Sequence, residues 1–196
     1  MPDLSVEVIK SGDIEMCREL CNELMAFQKA QAVIAPEAFD GMNFDTRMKT
    51  SYLGALEAFV ALARDNGKPV GYVFSTIENV EKKASEPPAW APKIPGEEML
   101  GFYPKWDNLP ERAGCVSNLY FRGEYRGRGL GRKFMDMSME WFAGFTDLDL
   151  VFIYISNGNK SALNFYRKYG FEYSHDVFGG FITAVYKRIG RGAVQA

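Results

Sequence analysis

The sequence predicts an α/β fold, a sheet with helices packed against it. Three observations carry that expectation. Strand-like and helix-like hydrophobic periods alternate along the chain, two strand-like runs meet at Asn66-Gly67, and a near-continuous apolar run at 148–155 has the pattern of a strand covered on both faces. The chain has 196 residues, 47% hydrophobic and 14% aromatic, which suits one domain with a substantial core and argues against disorder. A folded chain of this size buries roughly 70% of the surface that its unfolded form exposes, so it needs no disulfide or metal to fold.

Residues 4–9 alternate and predict a short strand. Ser11-Gly12-Asp13 supplies a helix start with Asp13 as the cap, and Ile14, Cys17, Cys21, Leu24, Gln28 and Gln31 follow at helical spacing. Pro36 is the expected stop. A second helix is expected over 44–56, started by Asn43 or Asp45. Residues 58–63 and 70–77 then form a hairpin. From 78 to 112 the pattern breaks down: six of the nine prolines fall there, with Trp90, Phe102, Tyr103 and Trp106. Linkers rarely carry four large aromatics, so this is an ordered excursion, either functional or merely packed. A strand over 115–121, a glycine- and arginine-rich turn over 123–131 and a helix over 130–142 come next. The 148–155 strand, a polar turn, a helix over 160–169 closed by Gly170, and a last strand over 181–188 complete the chain. One domain spans 1–196, with an irregular insertion at about 78–112.

With 23 Lys+Arg against 25 Asp+Glu, net −2, the chain has no global field to hold nucleic acid or an anionic membrane. The single histidine, His175, excludes zinc sites built from several histidines, and no metal requirement is visible. Three cysteines, Cys17, Cys21 and Cys115, lack framework spacing and suit a reducing compartment, as small core hydrophobes. The N-terminus lacks the basic and apolar regions of a signal peptide, and no apolar run reaches the roughly 18 residues of a membrane span, so a soluble cytoplasmic protein is expected.

The informative segment is Leu119-Tyr-Phe-Arg-Gly-Glu-Tyr-Arg-Gly-Arg-Gly-Leu-Gly-Arg-Lys133. A strand enters a turn with Gly123, Gly127, Gly129 and Gly131, and a helix opens behind it. Such a turn aims backbone N–H groups outward at the positive end of the helix dipole, and Arg122, Arg126, Arg128, Arg132 and Lys133 concentrate charge there. The chemistry is that of a diphosphate cradle. It is not a Walker loop, because Arg132-Lys133-Phe134 follows Gly131, and its glycine spacing is not the dinucleotide fingerprint. A tight β-to-α connection is the bland alternative.

Arg126-Gly-Arg-Gly129-Leu-Gly131 resembles the Gln/Arg-x-x-Gly-x-Gly/Ala signature of the GNAT N-acetyltransferase superfamily. Asn159-Lys-Ser-Ala162-Leu-Asn-Phe-Tyr166-Arg-Lys-Tyr-Gly170-Phe171 is similar to that family's second signature, at the expected distance. The resemblance covers most of the chain outside the 78–112 insertion. It implies a central mixed, largely antiparallel twisted sheet, splayed at the acetyl-CoA cleft and flanked by about four helices. It also implies acetyl-CoA as co-substrate, attacked directly by a primary amine. Backbone amides across Arg126, Gly127, Arg128, Gly129, Leu130 and Gly131, with Arg132 beside them, would hold the pyrophosphate. Leu119 and Phe121 would pair with the pantetheine arm, the Phe121 amide facing the developing oxyanion, and Asn159 would close the site from the other side. Tyr166 would be the general acid for the departing thiolate.

Many relatives carry a carboxylate base on the strand before the loop, where this chain has Ser117 and Asn118. Glu57, Glu78 and Glu124 remain candidate bases, with His175 a minor one. The acidic residues of the insertion (Glu78, Glu81, Glu86, Glu97, Glu98, Asp107, Glu111) suggest a small cationic amine as acceptor, although lysines are mixed among them. A peptide or protein amine is the runner-up acceptor. A non-catalytic acyl-CoA-binding module and a nucleotide-binding module are readings of other classes. Homodimers are common among the proteins this chain resembles.

Overall fold

The computed structural model describes residues 4–10, 12–80, 87–88 and 90–190. Seven strands form one sheet in the order β1-β2-β3-β4-β5-β7-β6. They are β1 (Leu4–Val8), β2 (Glu57–Asp65), β3 (Lys68–Asn79), β4 (Arg112–Phe121), β5 (Leu150–Ser156), β6 (Glu172–Val177) and β7 (Ile182–Arg188). Every neighbouring pair is antiparallel except β4 and β5, which run parallel. Among the described residues, four α-helices flank the sheet: α1 (Arg18–Gln31), α2 (Thr50–Gly54), α3 (Leu130–Ala143) and α4 (Lys160–Lys168). No helix among the described residues is long and apolar enough to cross a membrane.

The β2–β3 turn follows from local chemistry. Asn66 and Gly67 both sit at positive φ, 48° and 79°, the geometry that a two-residue hairpin requires. At the chain start, the Asp13 carboxylate accepts the Glu15 amide at 3.1 Å, and a 3-10 turn leads into α1. Helix α1 ends at Gln31, five residues before Pro36. Asn157, in the turn after β5, explains the early stop. Its Oδ1 accepts the Val33 and Ile34 amides at 2.6 and 2.7 Å, and its Nδ2 donates to the Ile34 and Phe181 carbonyls at 3.0 Å. These bonds draw the chain out of the helix, and Pro36 instead opens a 3-10 turn at Pro36–Phe39. The approach is close: a Cβ on Gly158, at φ 78°, would lie 1.9 Å from the Gln31 carbonyl oxygen.

The expected second helix begins as a π-turn over Asp45–Lys49, capped by the Asn43 carboxamide, and continues as α2. This turn and α1 cover one face of β2–β4, where Cys17, Cys21, Phe44, Met48, Tyr72 and Phe74 form a core cluster. Burial pushes the Cys17 thiol up to about 12, so it behaves as an apolar filler. On the opposite face, α3 and α4 pack Phe134, Phe142 and Tyr166 against Val73, Val116 and Ile153. The 78–112 insertion crosses the first face over β5 and β7. Tyr103, Phe102 and Trp106 pack there against Phe152 and Tyr154, so the insertion both packs and, as described below, lines a cavity. The insertion's residues 81–86 and 89, which include Glu81 and Glu86, lie outside the described residues.

Two features differ from the sequence reading. Strand β6 was not expected, because Glu172–Val177 carries a mostly polar, half-exposed pattern at the sheet edge. Within it, His175 bonds the Gly101 carbonyl at 3.0 Å and the Ser174 hydroxyl at 2.9 Å, and burial lowers its pKa. A histidine pinning the insertion to an edge strand has a structural role, not that of a base. Strands β3 and β4 are also longer than expected, pairing Glu78 with Ala113 and Asn79 with Arg112.

Asn157→Ala should destabilise the fold by about 2–3 kcal/mol, because it strands buried amides and carbonyls. The expected loss in Tm is roughly 5–10 °C. An unchanged Tm would show that the clamp between α1 and the β5 turn carries no stability.

Candidate active site

Between β4 and β5 the ladder holds for only two residue pairs, Gly114 with Val151 and Cys115 with Phe152. A β-bulge reinforces the parting. Phe74 pairs with Asn118 and Ser75 with Val116, so Ser117 is the extra residue, and bulges bend the strand that carries them. Beyond Cys115 the edge of β4 is open toward β5. The Arg122 amide donates to the Val70 carbonyl at 3.0 Å, so Arg122 faces β3. Backbone groups alternate in direction along a strand, which turns those of Leu119 and Phe121 to the open edge.

Three cavities line up through this gap. One of about 460 Å³ is lined by Leu24 and Phe27 of α1, Leu119–Phe121 of β4, the glycine-rich turn, and Asn159, Phe165 and Tyr166 of α4. A second, of about 300 Å³, lies between α1, the π-turn, α2 and the insertion; its lining includes Arg47, Glu78, Trp90, Phe102, Ser117 and Asn118. A neck of about 40 Å³ shares Ser117, Asn118, Tyr154 and Ser156 with the second cavity and Leu119, Asn159 and Tyr166 with the first. Ser156 is 5% exposed, and its hydroxyl has no hydrogen-bond partner among the described residues.

The larger cavity has the chemistry of an anion cradle at one end. Gly127 and Gly129 adopt φ of 73° and 79°, and Gly129 is the N-cap of α3 with no side chain capping the helix. The first-turn amides of α3 therefore lack an intrahelical acceptor. Arg126, Gly127, Gly129, Gly131 and Arg132 line this cavity, as do Leu119, Phe121, Asn159 and Tyr166. Arg128 and Leu130, also expected there, do not. The Arg128 guanidinium lies over the Tyr125 ring at 5.6 Å, and Leu130 packs into the core. Arg122 is turned away as well, held by Glu23 at 2.7 Å and Glu19 at 3.1 Å on α1. Arg126 braces the turn: its Nε donates to the Phe121 carbonyl at 2.7 Å, and its guanidinium covers the Phe27 ring at 4.3 Å.

Asn159 is committed to the helix it starts, its Oδ1 accepting the Ala162 amide at 3.1 Å. Tyr166 is 7% exposed, and its hydroxyl has no hydrogen bond to another described residue. Burial raises its pKa well above the usual tyrosine value, with Cys115 adding to the shift. Among the candidate bases, Glu57 and Glu124 are exposed and line neither cavity, whereas Glu78 is buried in the second cavity's wall. Its Oε1 accepts the Thr76 hydroxyl at 2.9 Å, and Thr76 Oγ1 lies 3.3 Å from Ser117 Oγ. Sequence reasoning could not choose Glu78, because only the long-range pairing of β3 with β4 brings it beside Ser117. The remaining described acids of the insertion, Glu97, Glu98, Asp107 and Glu111, are exposed and line no cavity. Arg47, which no sequence motif marks, also lines the second cavity.

With this geometry in hand, comparison with known proteins is direct. Residues 25–171 match the acetyltransferase (GNAT) family, and the chain belongs to that family. Among solved structures it is similar to the PaiA N-acetyltransferase from Thermoplasma acidophilum in complex with coenzyme A. The TM-score is 0.60 at 14% identity, over 94% of this chain and 99% of the other. It is also similar to Arabidopsis thaliana NAA60 in complex with acetyl-CoA, with TM-score 0.56 and 12% identity over 97% and 99% of the two chains. Arabidopsis thaliana Naa50 in complex with the bisubstrate analogue CoA-Ac-MVNAL gives TM-score 0.52 at 15% identity, over 95% and 99%. At these identities the likeness is one of fold. No curated protein gives a significant match.

The buried phenol makes a pH prediction. Above pH 10 an unfolded tyrosine ionises while Tyr166 stays neutral, so its contribution to stability is full below pH 10 and is lost progressively as pH rises further. Tyr166→Phe should flatten the alkaline fall in stability by up to about 1.4 kcal/mol per pH unit, read from unfolding between pH 9 and 11. An identical slope in both proteins would mean that the phenol is solvated.

Proposed function

We propose that the protein transfers the acetyl group of acetyl-CoA to a small primary amine by direct attack. The observation that carries this reading is the parting of β4 and β5, which opens one neck between two cavities of different character. The larger cavity fits the co-substrate at both ends: uncapped first-turn amides and glycine-rich backbone suit the diphosphate, and the unpaired β4 edge suits the amide-bearing arm. Amides at Gly127, Gly129 and Gly131 hold the pyrophosphate, with Arg132 beside them, and Leu119 and Phe121 hold the arm. Asn159 shapes the cleft as the cap of α4. The thioester supplies an activated acyl carbon at the neck.

An alkylammonium has a pKa near 10.4, so the acceptor must lose a proton before its nitrogen attacks. Ser117 faces the neck and continues through Thr76 to Glu78. On this reading Ser117 takes the proton from the amine as its own passes to Thr76, whose proton passes to the Glu78 carboxylate. The C–N bond forms, negative charge on the carbonyl oxygen meets the Phe121 amide, and the C–S bond breaks. Tyr166 protonates the departing sulfur, and the second proton that the attacking nitrogen must lose restores the phenol. A small acceptor is favoured because the second cavity holds only about 300 Å³ behind Trp90 and Phe102.

Acetyl-CoA at a hundred times its Kd should raise Tm by roughly 5–10 °C, and ATP and NAD should not. Glu78→Gln and Tyr166→Phe should each lower kcat by about 10²- to 10⁴-fold while leaving that Tm rise intact. An equal rise with ATP, or full turnover by both variants, would refute the assignment.

A further inference from the structure

We propose that the acceptor carries a carboxylate close to its amine and that Arg47 binds that carboxylate, an inference that rests on the transfer reading above. Arg47 lies in the π-turn Asp45–Lys49 and lines the second cavity. Its guanidinium lies over the Trp90 ring, 5.3 Å from the centroid, a cation–π contact that holds the side chain at the cavity wall. The nearby acids are engaged elsewhere: Asp45 pairs with Arg18 at 2.5 Å, Asp40 pairs with Lys29, and Glu15 pairs with Arg18 at 2.8 Å and Lys49 at 3.6 Å. Among the described residues Arg47 forms no ion pair and donates no side-chain hydrogen bond. Enclosure by protein pulls its pKa down, and the charge of Glu78 across the cavity offsets that only in part. An enclosed cation with no directly hydrogen-bonded anion is costly, and it is kept where a ligand supplies that anion.

Glu78 lies in the wall of the same cavity, and its charge acts on Arg47 without an ion pair forming between them. Together they set one positive and one negative group across a small space, complementary to a molecule with a carboxylate at one end and an amine at the other. The buried, unpartnered hydroxyl of Ser156 is a further polar group on the same wall. A guanidinium fork matches a planar carboxylate through two parallel charge-assisted hydrogen bonds, whereas a neutral amide offers one uncharged oxygen and an ammonium offers no acceptor. Neither a polyamine nor an internal peptide segment presents such a group. A free amino acid or a related small amino-carboxylate does.

The test compares amino acids, the corresponding amino-acid amides and the corresponding descarboxy amines as acceptors for the purified protein. Wild type should favour carboxylate-bearing acceptors by roughly 10- to 100-fold in kcat/KM, the advantage of hydrogen bonds to a charged group. Arg47→Met keeps an unbranched apolar stem without the charge and should erase that preference through KM, with the Kd for acetyl-CoA unchanged; Arg47→Lys should retain part of it. A descarboxy amine used as well as its parent, or an equal loss for all three classes in Arg47→Met, overturns the proposal. Calorimetric titration of N-acetylated amino acids and their amides separates this proposal from the transfer reading. Carboxylate-selective, Arg47-dependent binding without acetyl transfer would leave the anion site standing and remove the transferase assignment. Equal binding of amides, or no binding by any carboxylate, would remove the anion site.

Discussion

A parallel pair of strands that stays joined for only two residues is the constraint on which the rest depends. Parallel ladders are normally buried and continuous, and interrupting one leaves backbone donors and acceptors without partners in the middle of a sheet. The protein tolerates the interruption by holding both sides rigidly. Strand β4 is anchored along its other edge by β3, bent at the Ser117 bulge, and β5 is anchored along its full length by β7. The turn after β5 is fixed from a third direction by Asn157, which grips the chain leaving α1. The gap is therefore set by strong pairing around it, and a co-substrate with its own amides can complete the sheet.

The same constraint gives the two sides of the gap their different chemistries. On one side the connection from β4 must reach α3 in a few residues, so glycines at positive φ and an uncapped helix terminus are forced together at the mouth of the larger cavity. On the other side the sheet face is not covered by a regular helix beyond α1 and α2. The insertion fills that space with aromatic rings, held by His175 and by the Tyr154 hydroxyl, which donates to the Phe102 carbonyl at 2.7 Å. A wall of aromatics excludes water, and polar groups left within it are then worth more to a ligand. Arg47, Glu78 and Ser156 are those groups.

Much of this was legible in the sequence where the signal is local. The Asn66-Gly67 hairpin, the Gly170 helix end at φ 94° and the glycine turn before α3 are each dictated by backbone geometry that few residues accept. The two motifs placed the larger cavity for the same reason. What was not legible is what depends on partners distant in the chain. The α1 terminus is decided by Asn157, more than a hundred residues later, and no local signal marks it. Strand β6 is polar because it is an edge. Glu78 becomes distinct from Glu57 only through the register that sets it beside Thr76 and Ser117. Arg47 sits in a π-turn whose charged residues read as an ordinary solvated helix face; only the pairing of Arg18 with Asp45 reveals that Arg47 has been left over.

The raised pKa of Tyr166 looks at first like an objection to its acting as an acid, since a weaker acid is a poorer proton donor. In water the mismatch already favours the phenol, near 10, keeping its proton against a thiol near 8.5. Burial raises the phenol further, but it acts equally on any thiolate expelled into the same neck, because desolvation penalises whichever partner is charged. The protein displays the size of that effect on its own sulfur: Cys17, buried under α1, is pushed up to about 12. A thiolate released beside Tyr166, Leu119 and Ile155 would meet a comparable penalty, which keeps the gap between the two acids from widening beyond its value in water and leaves proton transfer to sulfur feasible. On the proposed mechanism, the dry neck created by the parted strands is therefore what would allow a buried, otherwise unpartnered tyrosine to serve as the acid.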